Sequence, residues 1–204
     1  MTKSLVIQIL NKIKKARRGT LFFTESFAAK GNSDAIRKAL ERLAKTGELQ
    51  RVATGIYVRP QFDPVIGVVI PGIDDIAKAI AKRDKARIVP TGIYALNRLG
   101  LSTQVPLKIV YLTDGSARKI KIDNRTITLK KTTPKNLAAV GQISGLVIQA
   151  LRTIGKNKIT EEEVYKIRQL LTKEKKTKLE HDFRLVPAWI REIMRPVLNK
   201  NNHE

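Results

Sequence analysis

The chain has 204 residues, of which 42% are hydrophobic, a composition typical of a folded protein with one large domain or two small ones. Its 40 lysines and arginines against 18 acidic residues give a net charge of +22, which favours a polyanionic partner such as DNA, RNA or an anionic membrane. The absence of cysteine and the presence of only two histidines exclude disulfide scaffolds, zinc fingers, iron–sulfur clusters and thiol catalysis.

Two helices are predicted before residue 32. Ser4 is expected to cap the first, whose apolar residues recur at three- and four-residue spacing, and Gly19 is expected to end it after a basic cluster. Thr24 is expected to cap a short second helix, and the residues Gly31 and Asn32 form the turn that follows.

The third predicted helix, residues 33–45, is strongly amphipathic. At 100° per residue, one stripe is apolar and contains Ile36, Ala39, Leu40 and Leu43. The opposite face is mostly basic, although the acidic residues Asp34 and Glu41 also lie on it. Gly47 is expected to end the helix. This pattern predicts a helix that packs on a core and presents positive charge to a partner.

Two short strands are predicted at residues 48–52 and 56–59, around the turn at residues 53–55. Three helices followed by a hairpin predict a winged helix-turn-helix domain over residues 1–62, in which the third helix enters a DNA major groove and the hairpin tip reaches phosphate or a minor groove. The alternative is a small domain that uses the same packing for protein contacts.

The candidate DNA-binding side chains follow from this arrangement. Arginine and lysine can donate to guanine O6 and N7 or neutralise phosphates, and small polar residues at a helix N-terminus can contact phosphate or a base edge. The candidates are Arg17, Arg18, Asn32, Ser33, Arg37, Lys38, Arg42, Lys45, Arg51 and Thr54. Arg51 and Thr54, near the hairpin tip, are expected to contact the DNA backbone.

Residues 63–204 are predicted to form a second, mixed α/β domain that ends in several helices. Gln61-Phe62-Asp63-Pro64 is interpreted as a linker, because a proline and a charge interrupt the periodicity there. Helices are predicted at residues 73–83 and 91–99, and strands at 86–89 and 107–113. Asp74 and Asp75 suit the start of the first of these helices better than a metal site. The fold class is therefore α+β.

A basic ribbon is predicted over residues 119–131. Ile120 and Ile122 mirror Ile127 and Leu129 across a turn at residues 123–125, which indicates a hairpin. Its outward positions are Lys119, Lys121, Lys130 and Lys131. Two interpretations stay open: the ribbon holds nucleic acid or an acidic protein, or its lysines protect an edge strand from pairing.

From residue 134 onward the pattern is helical. One long apolar helix is predicted over residues 135–154, with Gly141 and Gly145 allowing close contact, and a last helix over residues 188–198. Thr160 and Glu163 form a capping box, so the acidic run at residues 161–163 is a helix start rather than an acid–base site.

An enzyme is the disfavoured class. Asp114 at a strand end, with Lys119 and Lys121 nearby, resembles a nuclease site only loosely, because a second carboxylate two residues before a lysine is missing. No P-loop is present, and we expect no cofactor and no metal.

The charges near the N-terminus follow the apolar stretch, unlike those of a secretory signal, and no apolar run is long enough for a bilayer, so a cytoplasmic location is expected.

Two passages carry a family resemblance. The first is the predicted winged helix ending in Gly55-Ile56-Tyr57-Val58, and the second is PTGIYALNRLGLSTQVP at residues 90–106 with the strand that follows it. Together, over most of residues 15–115, they resemble the AbiEi-type antitoxins, which are winged-helix transcriptional regulators of bacterial abortive-infection loci.

The resemblance implies an N-terminal domain that represses its own operon by binding inverted repeats in the promoter. It also implies a C-terminal domain that neutralises a nucleotidyltransferase-like toxin encoded beside it, in a type IV system without a stable toxin–antitoxin complex. The alternative is a winged-helix DNA-binding regulator with no toxin partner. A neighbouring nucleotidyltransferase gene would favour the first hypothesis and its absence the second.

Overall fold

A computed structural model describes residues 4–200, so His203 lies outside the described part of the chain. The backbone divides into two compact units. The first comprises the residues up to Ile80 together with Ile120–Asn124, and the second comprises Ala81–Lys119 together with the residues from Arg125 onward. The domain boundary expected between residues 62 and 63 stays a prediction.

The first unit begins with helices packed on a small antiparallel sheet. The elements are α1 (Leu5–Lys15), β1 (Leu21–Phe23), the 3-10 helix Thr24–Lys30, α2 (Ser33–Lys45), β2 (Gln50–Ala53) and β3 (Ile56–Val58). The sheet has the order β1-β3-β2, with Tyr57 opposite both Phe22 and Arg51. The two strands predicted around residues 53–55 are therefore confirmed as β2 and β3, each shorter by one residue, and β2 begins two residues later than predicted and extends to Ala53.

One apolar core holds these elements together. It consists of the buried side chains Ile9, Ile13, Phe22, Phe27, Ile36, Ala39, Leu40, Leu43, Leu49 and Tyr57. The rings of Phe22 and Phe27 stack with their centroids 5.7 Å apart, which joins β1 to the 3-10 helix. The apolar stripe predicted for the third helix is confirmed, because its four residues all belong to this core.

Two predicted helix boundaries are wrong, and distant or local side chains explain both. α1 ends at Lys15 rather than at Gly19, because the Arg59 guanidinium donates to the carbonyls of Lys14 and Ala16 and Ala16 adopts an extended conformation. Thr24 does not cap the second helix. Phe23 holds the cap position, and its N–H donates to Ser26 Oγ at 3.1 Å.

The predicted linker is also wrong, because it forms a strand. β4 (Gln61–Asp63) pairs antiparallel with β5 (Gly67–Val69), and we call residues 61–69 the apolar hairpin. Asp63 Oδ1 accepts from the N–H groups of Val65, at 2.8 Å, and Ile66, at 3.1 Å. Gly67 takes a positive φ of 77° that favours glycine, so Asp63 and Gly67 together form the turn.

The middle of the chain forms two helices and a four-stranded sheet. The elements are α3 (Ile73–Arg83), β6 (Ile88–Thr91), α4 (Ile93–Arg98), β7 (Lys108–Thr113), β8 (Arg118–Ile122) and β9 (Arg125–Lys131). The sheet has the order β6-β7-β9-β8, with β6 antiparallel and β9 parallel to β7. The predicted hairpin of the basic ribbon is confirmed, and β8 lies at an edge of the sheet.

The C-terminal part is helical, as predicted. It contains the 3-10 helix Pro134–Leu137, α5 (Gln142–Ile154), α6 (Glu161–Leu171), α7 (Lys176–Arg184) and α8 (Ala188–Lys200). Thr160 and Glu163 form the predicted capping box, with each side chain accepting from the other residue's N–H. α5 to α8 bury a core that includes Val147, Leu151, Leu171, Leu179 and Met194.

The prediction of a single helix over residues 135–154 is wrong, because the helical conformation is interrupted between the 3-10 helix and α5. Glu174 accepts from the N–H groups of Ile143 and Ser144, and Asp182 accepts from that of Gly141 and from the Ser144 hydroxyl. These buried carboxylates satisfy the first amides of a new helix at this point.

The described residues form a mixed α+β fold with several helices at its C-terminal end, as the fold-class prediction stated. None of the helices between residues 4 and 200 is both long and apolar enough to cross a membrane.

Candidate nucleic-acid interface

The outward face of α2 carries a row of cations. Arg37, Lys38, Arg42 and Lys45 are all exposed, while Ile36 and Leu40 on the opposite face are buried. Lys38, Arg42 and Lys45 form no side-chain hydrogen bond or ion pair with any residue between 4 and 200. Their charges are consequently available to a ligand without the loss of an internal contact.

The N-terminus of α2 carries four polar residues. Asn32 Oδ1 accepts from the N–H of Ala35 at 2.8 Å, so Asn32 caps the helix, and Ser33 is its exposed first residue. Arg37 forms an ion pair with Asp34 one turn earlier, at 3.2 Å between Nη2 and Oδ1. Because both partners are well exposed, this pair is weak and can exchange for a phosphate.

The β2–β3 hairpin adds two of the predicted residues. Arg51 lies on β2 and Thr54 in the turn, and both are exposed. Gly55 in this turn has a φ of +71°, so glycine suits the tight reversal. Arg51 and Lys45 line one open groove of about 580 Å³, whose walls include Glu41, Leu49, Tyr57 and Val68. The structure therefore brings the C-terminal end of α2 and the β2–β3 hairpin together around one groove that Lys45 and Arg51 line.

Tyr57 forms part of the floor of this groove. Burial raises the pKa of its phenol, and the positive charge of Arg51 opposes that rise. The phenol is thus protonated at neutral pH and can donate a hydrogen bond.

Arg17 and Arg18 lie apart from this arrangement. Both are exposed after the end of α1, but Arg18 Nη1 donates to the carbonyl of Pro60 at 3.0 Å. Among the described residues, no side-chain bond joins either arginine to α2. Arg18 therefore helps to fix the chain that leaves β3, a contact that the sequence prediction did not include.

A second basic groove was not predicted. Lys12, Lys15 and Lys30 line an open hollow of about 360 Å³ together with Gln8 and Asn11. Lys12 is held there by donation to the carbonyl of Ser26 at 2.6 Å, and its ammonium lies 5.1 Å from the centroid of the Phe27 ring. The three- and four-residue spacing from Gln8 to Lys15 is the signal that would have located this face of α1.

Asp114, the carboxylate of the loosely nuclease-like set, forms a structural contact with Arg87. Asp114 accepts from the backbone N–H of Arg87 at 2.7 Å and from its Nε at 2.8 Å. These hydrogen bonds, the backbone one first, lower the pKa of Asp114. No group of three or more metal-ligating side chains that could hold an ion occurs within residues 4–200.

The basic ribbon exposes the four predicted lysines, Lys119, Lys121, Lys130 and Lys131, while Ile122, Ile127 and Leu129 are buried. Lys119 and Lys121 lie on the edge strand β8, where both interpretations fit, whereas Lys130 and Lys131 lie on β9, which pairs with β7 and β8 and is not an edge strand.

A family of unknown function, DUF6088, matches residues 8–179, and the chain belongs to this family. No curated protein matches the sequence. The chain is similar to the crystal structure of the RV2827C protein from Mycobacterium tuberculosis, with a TM-score of 0.45 and 11% sequence identity. The match covers 96% of this chain and 81% of the RV2827C chain.

Proposed function

We propose that this DUF6088 protein is a DNA-binding transcriptional repressor of its own operon, with a winged helix-turn-helix as its N-terminal part. The observation that carries the proposal is the exposed face of α2, on which Lys38, Arg42 and Lys45 have no side-chain partner among residues 4–200 and lie opposite a buried apolar stripe. Such a helix suits a partner that supplies the negative charge.

The order of the elements supports the same proposal. A helix, a short strand, a short helix, a turn with Gly31 and Asn32, a longer helix and a hairpin follow one another in the first 58 residues. In a winged helix-turn-helix the longer helix is the recognition helix and the hairpin is the wing. By this correspondence α2 recognises the major groove and Thr54 lies at the tip of the wing.

The residue types assign roles within such a complex. Arg37 and Lys38, in the N-terminal half of α2, are placed to donate to base edges, because the first turns of a recognition helix enter the groove most deeply. Lys45 and Arg51 flank the groove between α2 and the hairpin and are suited to the phosphates. Each phosphate that they neutralise releases counterions and adds affinity that depends on salt.

Binding of the purified chain to its own upstream promoter, compared with an unrelated duplex of equal length, tests this proposal. We expect preference for the promoter, and log K should fall with log salt by about 0.9 per phosphate neutralised. Equal affinity for the two duplexes would reduce the function to general polyanion binding, and a flat salt dependence would contradict the use of this basic surface.

We further propose that the chain acts as the antitoxin of a type IV toxin–antitoxin system. The support is the resemblance of residues 90–106 and of the N-terminal passage to AbiEi-type antitoxins. Co-expression with a nucleotidyltransferase-like toxin encoded beside the gene should restore growth, and Lys38→Ala with Arg42→Ala should keep this rescue. Absence of rescue by a folded, expressed chain would favour the alternative, a regulator with no toxin partner.

A further inference from the structure

The apolar hairpin is the most hydrophobic exposed segment of the first unit. Val65 is 90% exposed and Ile66 72% exposed at its turn, and Phe62 and Val68 on its strands are 69% and 51% exposed. Phe62 and Val68 are direct cross-strand partners, so their side chains lie on the same face of the hairpin. Exposed apolar groups concentrated on one small element mark a contact surface.

The charge of this segment restricts the partner. From residue 60 to residue 77 the sequence has no lysine or arginine but contains Asp63, Asp74 and Asp75, and no other stretch of the chain without a basic residue is as long. The hairpin itself offers a DNA or RNA backbone no cation and presents the carboxylate of Asp63, although its Val68 borders the groove that Lys45 and Arg51 line. An acidic protein is disfavoured for the same reason.

A second copy of the chain fits the hairpin better. Each copy carries a net charge of +22, so two copies repel each other over most of their surfaces. The hairpin itself adds no cation to this repulsion, although Lys45 and Arg51 lie on the groove that its Val68 lines, and Asp63 accepts hydrogen bonds from the N–H groups of Val65 and Ile66. Two identical faces of Phe62 and Val68 are self-complementary about a two-fold axis.

We propose that the chain self-associates through the apolar hairpin, with the Phe62 and Val68 faces of two copies packed together. A nine-residue hairpin cannot cover the roughly 800 Å² per partner of a standard interface, so the dimer is weak and reversible. This inference does not depend on DNA binding, because the association takes place between free copies.

Salt gives the proposed dimer a distinctive signature. The distance over which charges interact shrinks from about 10 Å at 0.1 M salt to about 3 Å at 1 M, which screens the repulsion between copies, whereas burial of apolar groups persists. Self-association should therefore strengthen as salt rises. DNA binding should weaken over the same range, so the two proposals respond in opposite directions.

Sedimentation equilibrium of the full chain without DNA, at about 0.1 M and about 1 M salt, tests the proposal. We expect the average mass of the wild type to rise with protein concentration, and more steeply at high salt. Phe62→Ser with Val68→Thr should stay monomeric under both conditions. The matched control, Tyr165→Ser with Val105→Thr, changes another exposed aromatic residue and another exposed valine and should associate as the wild type does.

A second variant guards against misfolding of the first. Val65→Lys with Ile66→Lys changes only the highly exposed turn, adds repulsion between the copies, and should also abolish association while leaving the circular dichroism spectrum unchanged. A wild type that stays monomeric at high salt would overturn the proposal. So would self-association of both hairpin variants at the wild-type level.

Discussion

Asn32 accepts a hydrogen bond from the N–H of Ala35, with 2.8 Å between Oδ1 and N, and this bond caps the helix that carries the cationic face. The side chain that we expected to contact DNA thus also starts the proposed recognition helix. Its two roles can be separated, because the cap uses the amide oxygen, whereas the –NH2 group has no partner among the described residues.

Substitutions of Asn32 should separate stability from DNA affinity. Asn32→Ala should lower the free energy of unfolding by about 1 kcal/mol, because the N–H of Ala35 loses its acceptor. Asn32→Asp should keep the cap and the stability, yet weaken DNA binding by about tenfold, because a carboxylate would face phosphate. Thermal melts and fluorescence anisotropy with promoter DNA measure the two effects. Unchanged DNA affinity in Asn32→Asp would place the helix N-terminus away from the DNA.

Arg59 should stabilise the end of α1 without contributing to DNA binding. Its guanidinium donates to the carbonyls of Lys14 and Ala16, which are left unpaired where the helix ends. Arg59→Ala should lower the free energy of unfolding by about 1–2 kcal/mol. Arg17→Ala removes an exposed arginine nearby and should leave the melting temperature unchanged. Equal effects of the two substitutions would contradict the capping role.

Two glycines at the start of α5 should respond to alanine with opposite signs. A Cβ at Gly141 would overlap the Ser144 hydroxyl and lie 2.7 Å from Glu174 Oε2, so Gly141→Ala should cost about 2–3 kcal/mol of stability. At Gly145 a Cβ would meet Ala139 Cβ at an ordinary 3.5 Å, and alanine should stabilise the helix by up to about 1 kcal/mol. Urea unfolding of both variants measures the difference. A tolerated Gly141→Ala would mean that the two carboxylates do not enclose this position.

Asp114 should make stability depend on pH in the acid range. The backbone N–H and then the side chain of Arg87 lower the pKa of this carboxyl in the folded protein, so the stabilisation is complete above the pKa of the unfolded chain, about 4. This stabilisation is lost as the pH falls from the pKa of the unfolded chain through the lower pKa of the folded protein. Asp114→Asn should flatten this part of the melting temperature profile. By the same argument Asp63→Asn, which removes another carboxyl with a lowered pKa, should flatten the profile as well. A profile that Asp114→Asn leaves unchanged would contradict the role assigned to the Arg87 contact.

The faces of α2 were predictable because they depend on spacing within one helix. Ile36, Ala39, Leu40 and Leu43 repeat at intervals that bury one stripe, and the cations between them then have no place except the surface. The capping box at Thr160 was predictable for the same reason, since its partner lies three residues away.

Several of the errors occur where distant residues decide the structure. α5 begins at residue 142 because carboxylates 31 and 41 residues away accept its first N–H groups, and no local pattern contains that information. Arg18 and Arg59 likewise bond residues more than 40 positions away. The apolar hairpin was missed for another reason: Asp63 and Gly67 are turn residues, but strands of three residues leave little periodicity to detect.

We propose above all that α2 binds DNA through its exposed cations. The most direct test is the affinity of Lys38→Ala with Arg42→Ala for promoter DNA, measured beside Lys156→Ala with Arg195→Ala, which removes the same charge from exposed positions of the second unit. We predict that the α2 variant keeps its melting temperature and loses at least about tenfold in affinity, while the control loses much less. Equal affinity losses in the two folded variants would contradict the claim and leave only the overall charge of the protein as the basis of binding.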